Sequence, residues 1–562
     1  MIFMLRLENS LLCKQNRITS QINSVWRSWY NSRNFNRTAL IFLKLFCQNY
    51  TFYPICGEII FKIILPELIF LLPLWQNNFM TMKQFIAGRE REKNILGELY
   101  KSSQSEFAVV YGRRRVGKTY LVRELFDGKM TFYHTALSPF DMAQDNTLLI
   151  KQQLQAFASS LRAYGDYHAE TPQSWLQAFE WLRELLLRQP KRKRLVVFLD
   201  ELPWMDTPRS GFVSAFEHFW NGWGAGQRNL FLIVCGSAAS WINDRLLNNT
   251  GGLYGRATRE IHLSPFTLVE TEEYLRNKYI SFERYDILQC YMAMGGIPYY
   301  LSYLEKGLSA AQNLDNLFFR KGSKLKTEFN RLFKSLFVNS EQYEQIVRLL
   351  ATRREGFTRG EICKALNLKS GGGLSNILRA LESSDFITQY IPYGESARAT
   401  RYKLIDLFTL FYYHFVEKNT STNKSFWSTN QSSPRVKAWS GFAFEEVCYV
   451  HTDQIKQKLG ISGIHTEISP WRSKQADDHA QIDMLIDRAD RVITLCEMKH
   501  SITEFAIDKS YDSVLRNKQN SFVEQTKCRN SIQVAIITTF GLKQNTYSGR
   551  IQNVVTLDDL FL

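Results

Sequence analysis

The stretch Gly112-Arg113-Arg114-Arg115-Val116-Gly117-Lys118-Thr119 has the residue types and spacing of a site that grips phosphate. It fits G-x-x-x-x-G-K-[ST], and it lies between an apolar run, Phe107 to Tyr111, and a helical start, TYLVRELF. Glycines let the backbone wrap phosphates, the loop N–H groups and helix N-terminus bind the anion, and Lys118 adds a point charge. Thr119 would place its hydroxyl on Mg²⁺. Further on, LVVFLDE ends in Asp200 and Glu201. Asp200 would hold Mg²⁺, directly or through water, and Glu201 would orient and deprotonate an attacking water. A third run, NLFLIVCGSAASW, stops at Ser237, where a hydroxyl could sense the terminal phosphate. Either Arg256 or Arg259 in GLYGRATREIHLSPF could reach a phosphate as an arginine finger, Arg256 being preferred.

A second group lies near the C-terminus, in QIDMLIDRADRVITLCEMKHS. Two strand patterns flank a short turn, and alternation puts Glu497 and Lys499 on one face of a strand beside the strand of Asp483. Two carboxylates can hold Mg²⁺ while a lysine polarises a water or a phosphodiester, and Glu445 in GFAFEEVCYVHTDQI offers a further carboxylate. Between the two groups, EQYEQIVRLLA, TRGEICKALN and GGLSNILRALESSDFI read as three short helices before an alternating segment with a glycine turn. That is the winged helix-turn-helix order. Ser375, Asn376 and Arg379 fall on the exposed face of its last helix, Thr358 and Glu361 make a capping box, and Arg398 and Arg401 sit on the wing. DNA contact and protein–protein contact are equally open for this segment.

The elements that must position the first group are buried parallel strands. Continuous apolar runs that end in polar residues belong to sheets covered on both faces, with ligands at the strand C-termini. GGIPYYL, with Gly295, Gly296 and Pro298, reads as a tight turn in a helical lid. The chain has 562 residues, enough for several domains. Lys and Arg exceed Asp and Glu by 70 to 54, a net +16 that favours a polyanionic partner such as nucleic acid. Nine scattered cysteines form no C-x-x-C pair, which excludes a disulfide scaffold and fits a reducing cytoplasm.

The order IAGRE, GRRRVGKT, LVVFLDE, CGSAASW, LYGRA, GGIP resembles the archaeal-type ATPases of the P-loop AAA+/STAND assemblage, from Lys83 to Leu325. The resemblance implies ATP as cofactor, Gly88-Arg89 near the base, Ser237 as polar sensor and Gly296-Pro298 as the lid turn. The tail from Trp439 to Leu562 resembles the PD-(D/E)xK restriction-endonuclease-like superfamily, and a domain of unknown function often fused to such ATPases. The expected fold is a multidomain α/β protein: a P-loop NTPase core at 83–265, with a parallel sheet and helices on both faces, and a helical lid at 266–335. A winged helix-turn-helix at 336–410, a linker at 411–438 and a nuclease-like α/β domain at 439–562 follow. The implied function is an ATP-hydrolysing protein acting on nucleic acid, with DNA the expected kind and metal-dependent nuclease activity an open question. The alternative is a nucleotide-dependent switch whose winged helix and tail mediate assembly. A homo-oligomer is compatible with either.

Residues 1–82 are a different kind of sequence, with a single glycine, Gly57. The apolar run from Tyr53 to Trp75 is interrupted by Glu58, Lys62, Glu67, Pro66 and Pro73, and each central charge costs roughly 2.5–3.5 kcal/mol on insertion. A membrane anchor, an added helical region and translation from an upstream start are the three readings, and the last is preferred, with no membrane partner. A chain beginning at Met82 is therefore expected to be monodisperse and to bind ATP as the full chain does. Aggregation of that shorter chain, with stable membrane insertion of the full one, would overturn this reading.

Overall fold

The computed structural model describes residues 85–138, 145–247, 251–337, 339–419, 423–475 and 479–562. The leader at 1–82 and its apolar run lie outside them. Five strands, β1 (Glu106–Tyr111), β2 (Met130–Thr135), β3 (Leu195–Asp200), β4 (Leu230–Gly236) and β5 (Arg259–His262), form a parallel sheet in the order β2-β3-β4-β1-β5. Every residue of β3 and β4 is buried, as an apolar run covered on both faces requires. Alternation sends Phe107 and Val109 of β1 toward helices Asn146–Ala163, Trp175–Leu187 and Phe212–Gly222, where Phe157, Phe179 and Phe216 pack. Ala108 and Val110 face helix Glu90–Lys101 and α1 (Lys118–Leu125) on the other side.

A helical layer follows. It begins with α2 (Leu268–Asn277), whose Thr267–Glu270 capping box is complete, and ends with α3 (Lys324–Leu332). Its sharp turn needs glycine: at Gly296 φ is +65°, and a Cβ would meet the Phe266 carbonyl oxygen at 2.3 Å. Next come α4 (Ser340–Leu350), β6 (Phe357–Thr358), α5 (Arg359–Leu366), α6 (Gly372–Ser383), β7 (Ile387–Tyr390) and β8 (Arg401–Leu404). Phe357 and Thr358 pair with β8, so the expected two-stranded wing is a three-stranded antiparallel sheet, β6-β8-β7. Thr358 and Glu361 form the expected capping box at the start of α5.

Within the stretch 411–438, read from sequence as a linker, several described residues are packed into the core. Helix α7 (Leu407–Phe411) leads into a wider turn, and Phe411, Phe415, Trp427 and Trp439 pack their rings together. Asp315 of the helical layer accepts from the Trp427 and Ser428 amides at 2.7 and 3.1 Å. Helix α8 (Pro434–Val450) then covers a mixed sheet in the order β13-β12-β11-β10-β9. Its strands are β9 (Thr466–Arg472), β10 (Gln481–Arg488), β11 (Val492–Lys499), β12 (Ser531–Thr538) and β13 (Asn553–Val555), and α9 (Lys509–Thr526) crosses between β11 and β12. One continuous core runs from Leu268 and Tyr291 through Phe386 and Phe411 to Met484 and Ile537. His451, at the end of α8, accepts from the Leu268 amide at 2.9 Å through Nε2, and burial pushes its pKa down to about 4. Among the described residues, no helix is long and apolar enough to cross a membrane.

Helix α6 and the turn after it rest on the parallel-sheet body. Arg379 Nη1 is 3.5 Å from Asp244 Oδ1, Asn243 donates to the Ser383 hydroxyl at 3.4 Å, and His262 Nε2 lies 3.3 Å from Asp385 Oδ2. The hydrogen bond to Asp385 holds the His262 imidazole above its ordinary pKa. Protonated His262 is thus favoured in the folded chain. Its contribution is complete below a pKa of about 6.5 and fades as pH rises through the higher folded value. Melting temperature is expected to fall from pH 6 to 8.5 more steeply in the wild-type chain than in His262→Gln. Parallel pH profiles would show that this contact carries no proton-linked stability.

Candidate active site

Helix α1 begins where the loop from β1 ends, and this puts Lys118 and Thr119 at the C-terminal edge of the sheet. The Lys118 ammonium is buried and donates to the carbonyls of Gly112 and Arg113 at 3.0 and 2.9 Å. Thr119 Oγ1 donates to Asp200 Oδ1 and Oδ2 at 3.0 and 3.1 Å. Burial raises the Asp200 pKa, and the Cys235 thiol, donating to Oδ1 at 2.6 Å, opposes the rise. A hydroxyl in contact with a buried carboxylate is the hard-oxygen pair that Mg²⁺ takes, and the cation's charge would offset the desolvation of Asp200.

Glu201 has φ +51°, which turns its side chain away from the strand direction of Asp200. Its Oε2 accepts from both the amide and the hydroxyl of Ser237 at 2.9 Å. Sequence placed these residues separately, as base and sensor; the fold joins them in one contact. Lys118, Thr119 and Glu201 line a cavity of about 470 Å³ together with Phe85, Phe266 and Tyr299. Arg89 also lines it. The Gly88 amide donates to Glu273 and the Arg89 amide to Glu270, at 3.0 and 2.8 Å, and the Arg89 guanidinium lies 4.7 Å from the Phe266 ring centroid.

Arg113, Arg114 and Arg115 stand within the phosphate-binding motif; Arg114 and Arg115 also line the cavity, and each of the three side chains has a partner further along the chain. Arg113 is ion-paired with Asp406, Arg114 donates to the Ser335 carbonyl at 3.1 Å, and Arg115 donates to Glu328 at 2.9 and 3.3 Å. A phosphate could meet only the backbone of Arg113, whose side chain is buried. The preferred finger, Arg256, is exposed on a turn and donates to the Gly252 carbonyl at 3.4 Å; neither it nor Arg259 lines the cavity. On the winged segment Asn376 and Arg398 are exposed, but Ser375 accepts from Arg359 at 2.7 Å and Arg401 donates to the Gly356 carbonyl at 3.2 Å.

In the C-terminal sheet, Glu497 and Lys499 face α9, while Cys496 and Met498 join the core under α8. Glu497 Oε1 accepts from Lys518 at 2.6 Å and its Oε2 from the Tyr511 hydroxyl at 3.1 Å, with Lys499 Nζ 3.6 Å away. Asp483 Oδ2 accepts from the Met498 amide at 3.2 Å. Burial, and then the neighbouring Asp483, raises the Glu497 pKa and pushes Glu445 up to about 7. Glu445 is 3.6 Å from Arg354. Asp483 thus acts electrostatically on both other members of the expected metal set, Glu497 and Glu445, while among the described residues no group of three or more His, Cys, Asp or Glu has the arrangement of a metal site. Lys518 and Tyr511 already occupy both Glu497 oxygens. From sequence, the segment KSYDSVLRNKQNSFVEQ offers polar residues to this site without singling out Tyr511 and Lys518, whose seven-residue separation sets both on one face of a helix.

Residues 86–304 match a family model described as an ATPase domain predominantly from Archaea. An uncharacterised protein of Methanocaldococcus jannaschii is 26% identical over 367 residues, spanning 64% of this chain and 75% of that protein. Among solved structures, a Walker-type ATPase of Pyrococcus abyssi is similar at 19% identity and a TM-score of 0.41, over 59% of this chain and 96% of that one. Cdc6p of Pyrobaculum aerophilum is similar at 18% identity and a TM-score of 0.27, over 59% and 93%. The phosphate loop, the two carboxylates after β3 and Ser237 all lie within the residues that match this ATPase-domain family.

Proposed function

We propose that the chain binds ATP with Mg²⁺, hydrolyses it, and couples turnover to an action on nucleic acid. The observation that carries the reading is the contact between Asp200 and Thr119, which lines the cavity with Lys118 and Glu201. Thr119 and Asp200 would hold Mg²⁺, which neutralises charge on the phosphates. Lys118, released from its own loop carbonyls, would pair with the outer phosphates. Glu201 would orient a water in line with the terminal phosphate and take its proton, and this requires it to exchange Ser237 for that water. Exposed Asn376 and Arg398, together with the net charge of +16, support nucleic acid as the partner.

A second reading, a nucleotide-dependent switch, has its own support. Arg379 of α6 faces Asp244 of the ATPase domain, so the helix expected to read DNA is engaged within the chain. Double-stranded DNA that binds more tightly with ATP than without would favour this reading over a constitutive nucleic-acid motor.

Lys118→Ala is expected to weaken ATP binding about 100-fold, since a buried charged contact is worth several kcal/mol. Glu201→Gln should keep ATP while hydrolysis falls roughly 10²–10⁴-fold, the range of general-base catalysis. Wild-type turnover in Glu201→Gln would overturn the assignment of the base. Double-stranded DNA should stimulate ATP turnover in a manner that weakens with salt. Absence of both binding and stimulation at low salt would remove nucleic acid from the reading.

A further inference from the structure

The three loop arginines carry information that the phosphate motif does not. Each leaves the loop and ends on a residue downstream of the ATPase domain: Glu328 and Ser335 near α3, and Asp406 just after β8. The Asp406 tie is the most buried, with side chains 1% and 3% exposed, and the Arg113 guanidinium also lies 4.5 Å from the Phe386 ring centroid. A guanidinium so enclosed persists only while a carboxylate faces it. Asp406 Oδ1 serves Arg113, and its Oδ2 accepts from the Thr409 amide at 3.1 Å, capping α7. One carboxylate therefore joins the phosphate loop to the start of the helix that anchors the C-terminal core. On the loop side, the Arg113 carbonyl is one of the two that Lys118 rests on.

We propose that Asp406 is a positioning residue of the ATP site: by holding Arg113 it sets the loop backbone on which Lys118 depends, so nucleotide affinity is coupled to the C-terminal body. The proposal rests on the ATP reading of the preceding subsection. ATP draws Lys118 off its loop carbonyls, and the resulting shift in loop backbone passes through Arg113 to Asp406 and the head of α7. Coupling is reciprocal, so a change at Asp406 must appear in ATP affinity by the same factor.

The test uses the full chain with Arg113→Met/Asp406→Asn. This pair removes both charges together, so no uncompensated ion is left buried, and Asn keeps an acceptor for the Thr409 amide. The expected result is a folded protein whose ATP affinity is about tenfold weaker, a typical coupling between sites. The effect should fall on KM more than on kcat, because Asp200 and Glu201 keep their places. Wild-type affinity in this variant would show the pair to be structural only. Hydrogen exchange of the wild-type chain with and without ATP gives an independent reading, should the variant misfold. Added ATP should change protection at residues 112–118 and 404–411 together, and a change confined to the loop would overturn the proposal. Lys118→Ala serves as the control. Retained ATP binding there would sink the ATP site itself, whereas lost binding there with an unaffected double variant would sink only the role of Asp406.

Discussion

The turn from β1 into α1 has no room for a side chain at its first residue. A Cβ on Gly112 would stand 2.4 Å from the Leu263 carbonyl oxygen, and φ there is +139°, a conformation that L side chains rarely adopt. The approach is this close because the Leu263 amide donates to the Tyr111 carbonyl at 2.7 Å, pressing the segment after β5 against the loop. With Gly112 so held, the chain can curl back far enough for its carbonyls to receive Lys118. Thr119 then meets Asp200 across the sheet edge. Each polar contact of the site follows from that one steric constraint and from the parallel pairing that brings β3 beside β4.

Downstream, the fold is less modular than a string of domains. The core that begins under α2 continues through the three-helix segment to one face of the mixed sheet, while the other side of that sheet has smaller apolar clusters of its own around Phe522 and Leu515. Two polar residues bind the layers where hydrophobic packing alone would let them slide. His451 accepts from the head of α2, and Asp315 accepts from the head of the helix at Phe426–Asn430. Burial keeps His451 neutral, and with Nδ1 directed at the Val447 carbonyl only Nε2 remains to accept. Glu270 makes a third joint, since its carboxylate closes the capping box of α2 and also receives the Arg89 amide beside the cavity.

The tail shows what charge does to a shared pocket. Asp483 lies close enough to Glu497 and Glu445 to raise both, and such crowding is relieved by a metal or by protein cations. Here the cations are protein: Lys518 and Lys499 gather on Glu497, and Arg354 on Glu445. The crowded carboxylates are therefore each accompanied by side-chain cations.

By itself the sequence determined what is local. The glycines, lysine and threonine of the phosphate loop, the buried strands ending in Asp200 and Ser237, the Thr358 capping box and the alternation that sets Glu497 beside Lys499 all follow from spacings within a single element or turn. Such features need only backbone sterics and the periods of helix and strand. The tertiary structure decided what lies far apart in the chain. It paired the arginines of the loop with Glu328, Ser335 and Asp406, and left Arg256 on the surface. It also packed Phe411, Phe415 and Trp427 into the core and set Lys518 on Glu497. No periodicity encodes these outcomes. A charged side chain takes the nearest partner once it is desolvated, and which partner is nearest depends on how layers hundreds of residues apart come to pack.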